Sequence, residues 1–272
     1  YAVPMAGNAF LGIPTGGVGI ILLGLSSTDH QVGIFAIAAM LQAPGVAFLP
    51  AVGSLFSPIV TDLFQRGAIE RLRSMLQMLA RWIATFSLPV FAIVSLEAEF
   101  FTSLFGDRAT AAAGLVWIMA LGNIVNTATG PTALVLSMTG RPGINFMNLL
   151  VTMLLYVVVG SFAAREMGAF GMAMVDAGAT ALVNILRAVE CRLLVGIHPF
   201  GRTYYKPVLA AAGGAAVLFV WKVVAGAGGL QSVAGIALGS LVYLAILRVL
   251  RLDPEEKHVW EAIRNRLKTL RR

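Results

Sequence analysis

Charged side chains are scarce in this chain, because Asp, Glu, Lys and Arg make up only 12% of its 272 residues. A typical soluble domain is about one quarter charged. Here 58% of the residues are hydrophobic and the mean hydropathy is +0.84. A soluble fold of this length could not hide so much apolar surface. The composition therefore excludes an ordinary soluble domain and predicts that the lipid bilayer is a partner of this protein.

Signatures of metal binding and catalysis are also missing from the sequence. The single cysteine, Cys191, excludes an internal disulfide framework, and three scattered histidines do not supply a zinc site. The sequence has no Walker loop, nucleophile elbow, HExxH motif or dinucleotide fingerprint. We therefore expect no enzyme activity, no metal and no cofactor. The net charge of +7 does not predict nucleic-acid binding, because Lys and Arg lie in short segments between apolar runs and in the tail.

Eight apolar segments are long enough to cross the hydrocarbon core, which requires about 20 residues. They lie near residues 4–25, 32–58, 77–96, 111–137, 145–164, 169–190, 207–225 and 230–250. Helix-breaking or charged residues separate them, and no polar or low-complexity linker divides the chain. The sequence predicts an all-α fold class: a polytopic membrane helix bundle of about eight transmembrane helices.

Positive charge is unequally distributed between the joins of these segments. Alternate joins, together with the tail, hold 17 of the 20 Lys and Arg residues, and cytoplasmic loops are enriched in these residues. We therefore expect a multi-pass protein of the cell (inner or plasma) membrane with both termini in the cytoplasm. The residues that we assign to the membrane surface and to topology are Arg66, Arg71, Arg73, Arg81, Arg264, Arg266 and Lys268.

The last 20 residues, 253–272, have the pattern of a short amphipathic helix. Asp253 is a suitable N-cap, Pro254 suits the first turn, and basic residues cluster late. Such a helix could lie on the anionic cytoplasmic leaflet. A solvated basic tail that only sets topology is an equal alternative.

A few polar side chains fall within the predicted spans, where they usually face a bundle interior or a wet cavity. Amides in membrane bundles also form hydrogen bonds between helices, which is the alternative role for each of them. Glu97, Glu99 and Asp107 lie together in a join, and we interpret that join as a solvated loop. The predicted residues of a substrate cavity are Asn8, Gln42, Asn123, Asn126 and Asp176.

Asp176 is the only acidic residue that we place well inside a span. An uncompensated carboxylate at mid-membrane costs about 2.5–3.5 kcal/mol on insertion scales. We therefore expect Asp176 to be protonated, paired or in contact with water. One hypothesis makes it a site of proton or cation coupling, and the other places it near the outer interface.

Glycine and proline are frequent within the predicted spans, and kinked helices that line a cavity are typical of transporters. The patterns GIPTG at 12–16 and GIALG at 235–239 place small residues four apart. We predict that they allow close packing of helices, with a mobile hinge as the alternative.

Several stretches resemble a known family of transporters. The chain opens with YAVPMAGNAF, enters its second span with VGIFAIA, and carries RGAIERLRSML between spans two and three. The similarity continues through LFGDRATAAAGLVWIMALGNIVN and ALVLSMTGRPGINFMNLL, and so covers most of the chain. These features resemble the C-terminal half of polysaccharide-repeat (Wzx-like) flippases of the multidrug/oligosaccharidyl-lipid/polysaccharide exporter superfamily.

The resemblance implies two six-helix lobes that face each other across a central cavity, with two extra helices at the end. Residues 1–196 would then be the second lobe, residues 197–252 the extra pair and residues 253–272 the basic cytoplasmic tail. The first lobe would be absent, which agrees with the start at Tyr1 and implies a fragment or a partner chain. Asp176 departs from the family, whose members commonly have small or hydroxyl residues there.

The resemblance implies transport of an undecaprenyl-diphosphate-linked oligosaccharide for cell-surface polysaccharide biosynthesis, by alternating access. A cation-coupled multidrug exporter of the same superfamily is the first alternative. A polytopic envelope glycosyltransferase or ligase is the second, although the sequence has no sizeable outer loop with acid–base residues. A scaffold without transport activity is the third.

Overall fold

The structure, a computed structural model, describes residues 15–226 and 228–250. All regular elements in these ranges are helical and none is a β-strand, which confirms the prediction of an all-α fold. Four of the predicted functional residues and the predicted tail helix lie outside these ranges, as does most of the GIPTG pattern. The four residues are Asn8, Arg264, Arg266 and Lys268.

Ten α-helices follow one another in the described chain, together with one 3-10 helix (Asp107–Ala112) and one π-helical segment (Cys191–Val195). The α-helices are α1 (Thr15–Ser26), α2 (Asp29–Val46), α3 (Phe48–Gln65), α4 (Ile69–Leu96), α5 (Ala98–Ser103), α6 (Ala113–Ala128), α7 (Thr132–Met138), α8 (Pro142–Glu190), α9 (Tyr205–Ala225) and α10 (Gly229–Val249).

Six helical stretches among the described residues are long and apolar enough to cross a membrane. The chain is therefore a multi-pass membrane protein, as its composition predicts. The α1 helix is apolar but shorter within the described range. The six stretches are Phe48–Gln65, Ile69–Leu96, Asp107–Ala128, Pro142–Val195, Tyr205–Ala225 and Gly229–Val249.

The α8 helix is a hairpin of two limbs, residues 142–167 and residues 169–190. Gly168 separates them with φ 57° and ψ −139°, a conformation that favours glycine. The limbs run antiparallel, because the side chains of Tyr156 and Asp176 meet across the turn. The sequence places a join at the same point, so the predicted break between residues 164 and 169 is confirmed.

Two segments that the sequence presents as single spans are each divided in the structure. The predicted span 32–58 becomes α2 and α3, separated at Ala47. Pro50, in the first turn of α3, has no N–H to bond the carbonyl of Val46, so the hydrogen-bond ladder loses one bond there. Ala47 itself keeps helical dihedrals, φ −58° and ψ −29°, and its N–H bonds the carbonyl of Ala43. The predicted span 111–137 likewise becomes α6 and α7.

The break between α6 and α7 lies at Gly130, which has φ +64° and precedes Pro131. Proline disfavours helical backbone in the residue before it, and the left-handed conformation ends α6. The carbonyl of Ala128 then lacks its helical partner and accepts a hydrogen bond of 3.0 Å from the Tyr204 hydroxyl instead. A distant side chain therefore satisfies the backbone that the break exposes.

The last two helices, α9 and α10, pack closely through glycine. An added Cβ at Gly239 would lie 2.9 Å from the carbonyl oxygen of Gly214, and Gly235 lies against Trp221. The prediction that GIALG is a packing motif is therefore confirmed. The pair docks on α4, where the Tyr243 hydroxyl donates to the backbone carbonyl of Thr85.

Basic side chains gather at one end of the helix bundle. Arg73, Arg81 and Arg141 each donate a hydrogen bond to a group in the segment 194–203. Lys222, near the end of α9, lies at the opposite end and donates to the carbonyl of Leu96. These three arginines and Lys222, which come from joins of opposite sets in the sequence, therefore lie at different ends of the described bundle.

Candidate functional site

Asp176 and Tyr156 form a buried polar pair inside the α8 hairpin. Asp176 is 5% exposed and Tyr156 is 1% exposed. The Tyr156 hydroxyl donates to Oδ1 of Asp176 over 3.3 Å. In the described part of the chain, Tyr156 is the hydrogen-bond partner that the structure gives this carboxyl. A carboxyl with a single neutral partner is well suited to carry a proton, because its charged form has little compensation there.

The pair lies within the largest apolar core, between several helices. Phe35 of α2 and Leu23 of α1 belong to the same buried cluster as Tyr156. Gly19 of α1 approaches the Tyr156 hydroxyl so closely that an added Cβ would lie 2.6 Å from it. Asp176 lies about two helical turns beyond Gly168, which corresponds to about 12 Å along the helix axis. The structure thus places the carboxyl in a packed interior.

Helix α6 contacts the second limb of α8 directly beside Asp176. An added Cβ at Gly122 would lie 2.6 Å from both the Cα and the carbonyl oxygen of Ala177. Only glycine permits this backbone approach, since any larger residue would push the helices apart. The position of the carboxyl therefore depends on the absence of a side chain at residue 122.

Gln42 connects α2 to α6. It is 3% exposed, and its Nε2 donates to the carbonyl of Val116 over 3.1 Å. Its Oε1 is buried without a hydrogen-bond partner in the described structure. The amide therefore acts as interhelical glue through its nitrogen, which was the alternative role, and leaves an unsatisfied acceptor one turn before the break at Ala47.

Asn123 and Asn126 are both half-buried on α6. The Asn123 amide donates to the carbonyl of Met119, one turn earlier in its own helix, over 3.2 Å. This bond neither joins helices nor reaches Asp176. The structure therefore brings Asp176, Tyr156 and Gln42 into the core, while the two asparagines remain at its partly accessible margin.

An arginine–amide network near the open end of the α8 hairpin is a feature that our sequence reasoning missed. The Arg187 Nε donates to Oδ1 of Asn145 over 2.8 Å, and Nη1 lies 3.5 Å from Oδ1 of Asn184. Asn148 donates to Glu190 across the same two limbs. In the sequence, Arg187 is only one of the 17 basic residues of the alternate joins and the tail. Asn145 and Asn148 lie 23 and 20 residues before Gly168, and Arg187 and Glu190 lie 19 and 22 residues after it, so folding the sequence back at this glycine would have indicated the network.

The residues that we assigned to topology have different local roles. Arg66 and Arg71 are exposed, and Arg66 pairs with Asp62 over 2.8 Å. Arg81 is buried and donates to Thr203 Oγ1. Its guanidinium therefore holds the segment before α9 against α4, which charge counting did not indicate.

Glu97 corrects our interpretation of its join as a solvated loop. It is 2% exposed, at the turn between α4 and α5, and its Oε2 accepts a hydrogen bond of 2.7 Å from the Ser232 hydroxyl of α10. Glu99 is exposed, as expected for such a loop. The burial of Glu97 arises because α10, which begins 132 residues later in the chain, covers the turn.

Tyr204 lies just before α9, beside the break between α6 and α7. Its ring is largely enclosed, and burial raises the pKa of its hydroxyl above the ordinary value of 10.0. The group therefore stays protonated and continues to donate to Ala128 in alkaline solution.

Comparisons with models of known protein families and with curated proteins find no match to this chain. The functional argument therefore draws on the sequence and the structure of this chain.

Proposed function

We propose that this chain is one half of a flippase that carries an undecaprenyl-diphosphate-linked oligosaccharide from the cytoplasmic to the outer leaflet by alternating access. The resemblance of its sequence to polysaccharide-repeat flippases supports the choice of substrate. Six apolar helical stretches among the described residues support a polytopic transporter. The chain would contribute one wall of a cavity, and a first lobe, in the same or a partner chain, would contribute the other.

The observation that carries the proposal is the pair of helix breaks within apolar segments. The α6–α7 segment breaks at Gly130, where the backbone is left-handed, and the α2–α3 segment loses a ladder hydrogen bond at Pro50, just after the single-residue junction at Ala47. Such discontinuous helices are typical of transporters, in which half-helices reorient around a central site. A protein with a purely structural role in the bilayer has no need of interrupted spans, because each break frees backbone groups that must be satisfied.

The proposed topology has about eight spans. The α8 hairpin would cross twice, since its 54 residues with the π-helical segment far exceed the roughly 20 that one crossing requires. The α1 helix, and α2 with α3, would complete the count, and the tail would form an amphipathic helix on the inner leaflet. Both termini would lie on the cytoplasmic side of the cell membrane, the side on which the basic residues of the protein gather.

We propose further that Asp176 couples transport to protons. Its carboxyl is buried between the limbs of α8 and has Tyr156 as its described partner, so it can take up a proton without losing an ion pair. This feature also favours the alternative of a cation-coupled multidrug exporter, because both functions use a driving ion. The two candidates differ only in the substrate.

A reconstitution assay tests the function. The full chain, alone and together with the polypeptide encoded immediately upstream, is placed in vesicles that contain a fluorescent undecaprenyl-diphosphate oligosaccharide. A membrane-impermeant quencher then measures how fast the headgroup crosses. We expect protein-dependent crossing that a pH gradient accelerates. Export of cationic drugs without movement of the lipid-linked sugar would favour the multidrug exporter over the flippase. The absence of both activities would overturn the transport proposal.

A further inference from the structure

A cavity of about 570 Å³ lies at the end of the bundle opposite the basic residues. It opens between the turn after α4 and Gly228 and Gly229 at the start of α10, two segments far apart in the chain. Its volume falls within the range of about 300–1,000 Å³ that is typical of small-molecule pockets. Its lining includes the side chains of Glu97, Glu99, Phe100, Thr110, Lys222 and Ser232.

Glu97 is the most deeply buried polar residue of the lining, at 2% exposure. Its described hydrogen-bond partner is the neutral hydroxyl of Ser232, at 2.7 Å. Burying a carboxylate is costly unless hydrogen bonds compensate it, and a carboxylate has about four acceptor sites. The hydrogen bond from Ser232, which holds α10 against the end of α4, occupies only one of these acceptor sites. The remaining capacity is available to a ligand that donates hydrogen bonds.

Lys222 and Glu99 set the charge of the cavity. The Lys222 ammonium donates to the carbonyl of Leu96 over 2.8 Å and lies 3.7 Å from Oε2 of Glu99. The lining thus contains two carboxylates and one ammonium, and the ammonium is already engaged. An anionic ligand would meet an excess of negative charge, whereas a neutral ligand with several hydroxyl groups would find acceptors.

Phe100 adds an apolar surface to this polar lining. Hydroxyl-rich molecules with C–H faces, such as sugars, combine hydrogen-bond donors with a surface that packs on an aromatic ring. Thr110 also lines the cavity, and its hydroxyl, which donates to the carbonyl of Asp107 over 2.7 Å, can still accept a hydrogen bond from a ligand. The lining therefore fits a neutral saccharide better than a phosphate or an apolar drug.

We infer that this cavity is a saccharide-binding subsite that receives part of the glycan at the outer face of the membrane. The inference rests on the proposed function, because the cavity lies at the end that the flippase topology places outside. It adds a glycan contact on the last helix pair, away from the Asp176 core.

Binding to the full chain in lipid nanodiscs tests the subsite. The probes are maltotriose, cellotriose and chitotriose, with tetramethylammonium and inorganic diphosphate for comparison, and saturation-transfer NMR detects binding. We expect at least one trisaccharide to bind and the Glu97→Gln variant to weaken its affinity about tenfold or more, because a charged acceptor is lost. Binding of none of the three, or binding of tetramethylammonium alone, would overturn the inference.

Two further variants separate ligand binding from folding. Asp107→Asn removes a carboxylate near the same end but outside the lining, and it should leave affinity unchanged. Thr110→Val removes an exposed hydroxyl from the lining without touching the bond between Glu97 and Ser232. It should weaken binding while the melting temperature changes little, because the bond that it loses, to the Asp107 carbonyl, is local and exposed. Equal affinity in Glu97→Gln, Thr110→Val and the unaltered protein would assign Glu97 to folding alone.

The outcome is distinct from that of the flipping assay. Lipid-linked sugar that crosses the vesicle membrane without any trisaccharide binding would remove the subsite and leave the flippase in place. Trisaccharide binding without crossing would retain the subsite and remove the flippase.

Discussion

The contact of Gly122 with Ala177 allows a quantitative test of the core beside Asp176. In Gly122→Ala, the new Cβ would lie 2.6 Å from the Ala177 backbone, whereas ordinary contact begins at 3.4 Å. The Ala177 atoms that it would meet are backbone atoms, so α6 and the second limb of α8 must separate. Overpacking of this kind costs about 1–3 kcal/mol. Alanine also favours the helix over glycine by about 1 kcal/mol, which offsets part of this cost.

Gly114→Ala is the matched control, because Gly114 lies on the same helix and has no atom within 4 Å of an added Cβ. The helix-propensity gain is common to both variants and cancels in the comparison. Gly122→Ala should therefore be less stable than Gly114→Ala by about 1–3 kcal/mol. At about 2–4 °C per kcal/mol for a chain of this size class, the melting temperatures should differ by about 2–12 °C.

Thermal unfolding of both variants in the same detergent measures the difference. Because Ala177 follows Asp176 directly, the displacement should also slow transport in Gly122→Ala and spare it in Gly114→Ala. Equal melting temperatures for the two variants would show that α6 and α8 do not approach each other as described. Lower stability with unchanged transport would separate this contact from the function of Asp176.

Three further outcomes are expected. Asp176→Asn should remain folded but flatten the pH dependence of transport in vesicles, because the amide cannot carry the proton; an unchanged pH profile would remove Asp176 from coupling. Gly239→Ala should lower the melting temperature relative to Gly229→Ala, since an added Cβ at residue 239 meets backbone and one at residue 229 meets nothing within 4 Å. Tyr204→Phe should cost about 1–3 kcal/mol by leaving the carbonyl at the α6 break unpaired, whereas Tyr205→Phe, at an exposed tyrosine, should cost little. Burial raises the pKa of Tyr204, so the folded protein keeps the hydroxyl proton at a pH where the unfolded chain loses it. The free energy of unfolding should therefore decline above about pH 10, and it should decline less in Tyr204→Phe, as thermal melts at several pH values would measure.

Some properties of this protein follow from the sequence alone, because they depend on residues adjacent in the chain. Apolar runs predict membrane helices wherever they are long enough, and the run of small residues at 235–239 predicts a close helix contact. The break at Gly168 is visible as a charged, glycine-containing interruption between two such runs. Each of these signals is local, so no knowledge of the fold is needed to read it.

Other properties were decided by the tertiary structure, because they depend on segments that meet only after folding. Glu97 has the sequence context of a solvated loop and is buried because α10 covers it. Arg187 has the context of a cytoplasmic charge and joins amides from two limbs because α8 folds back on itself. A side chain's exposure is set by its neighbours in space, which hydropathy and spacing along a single chain do not specify.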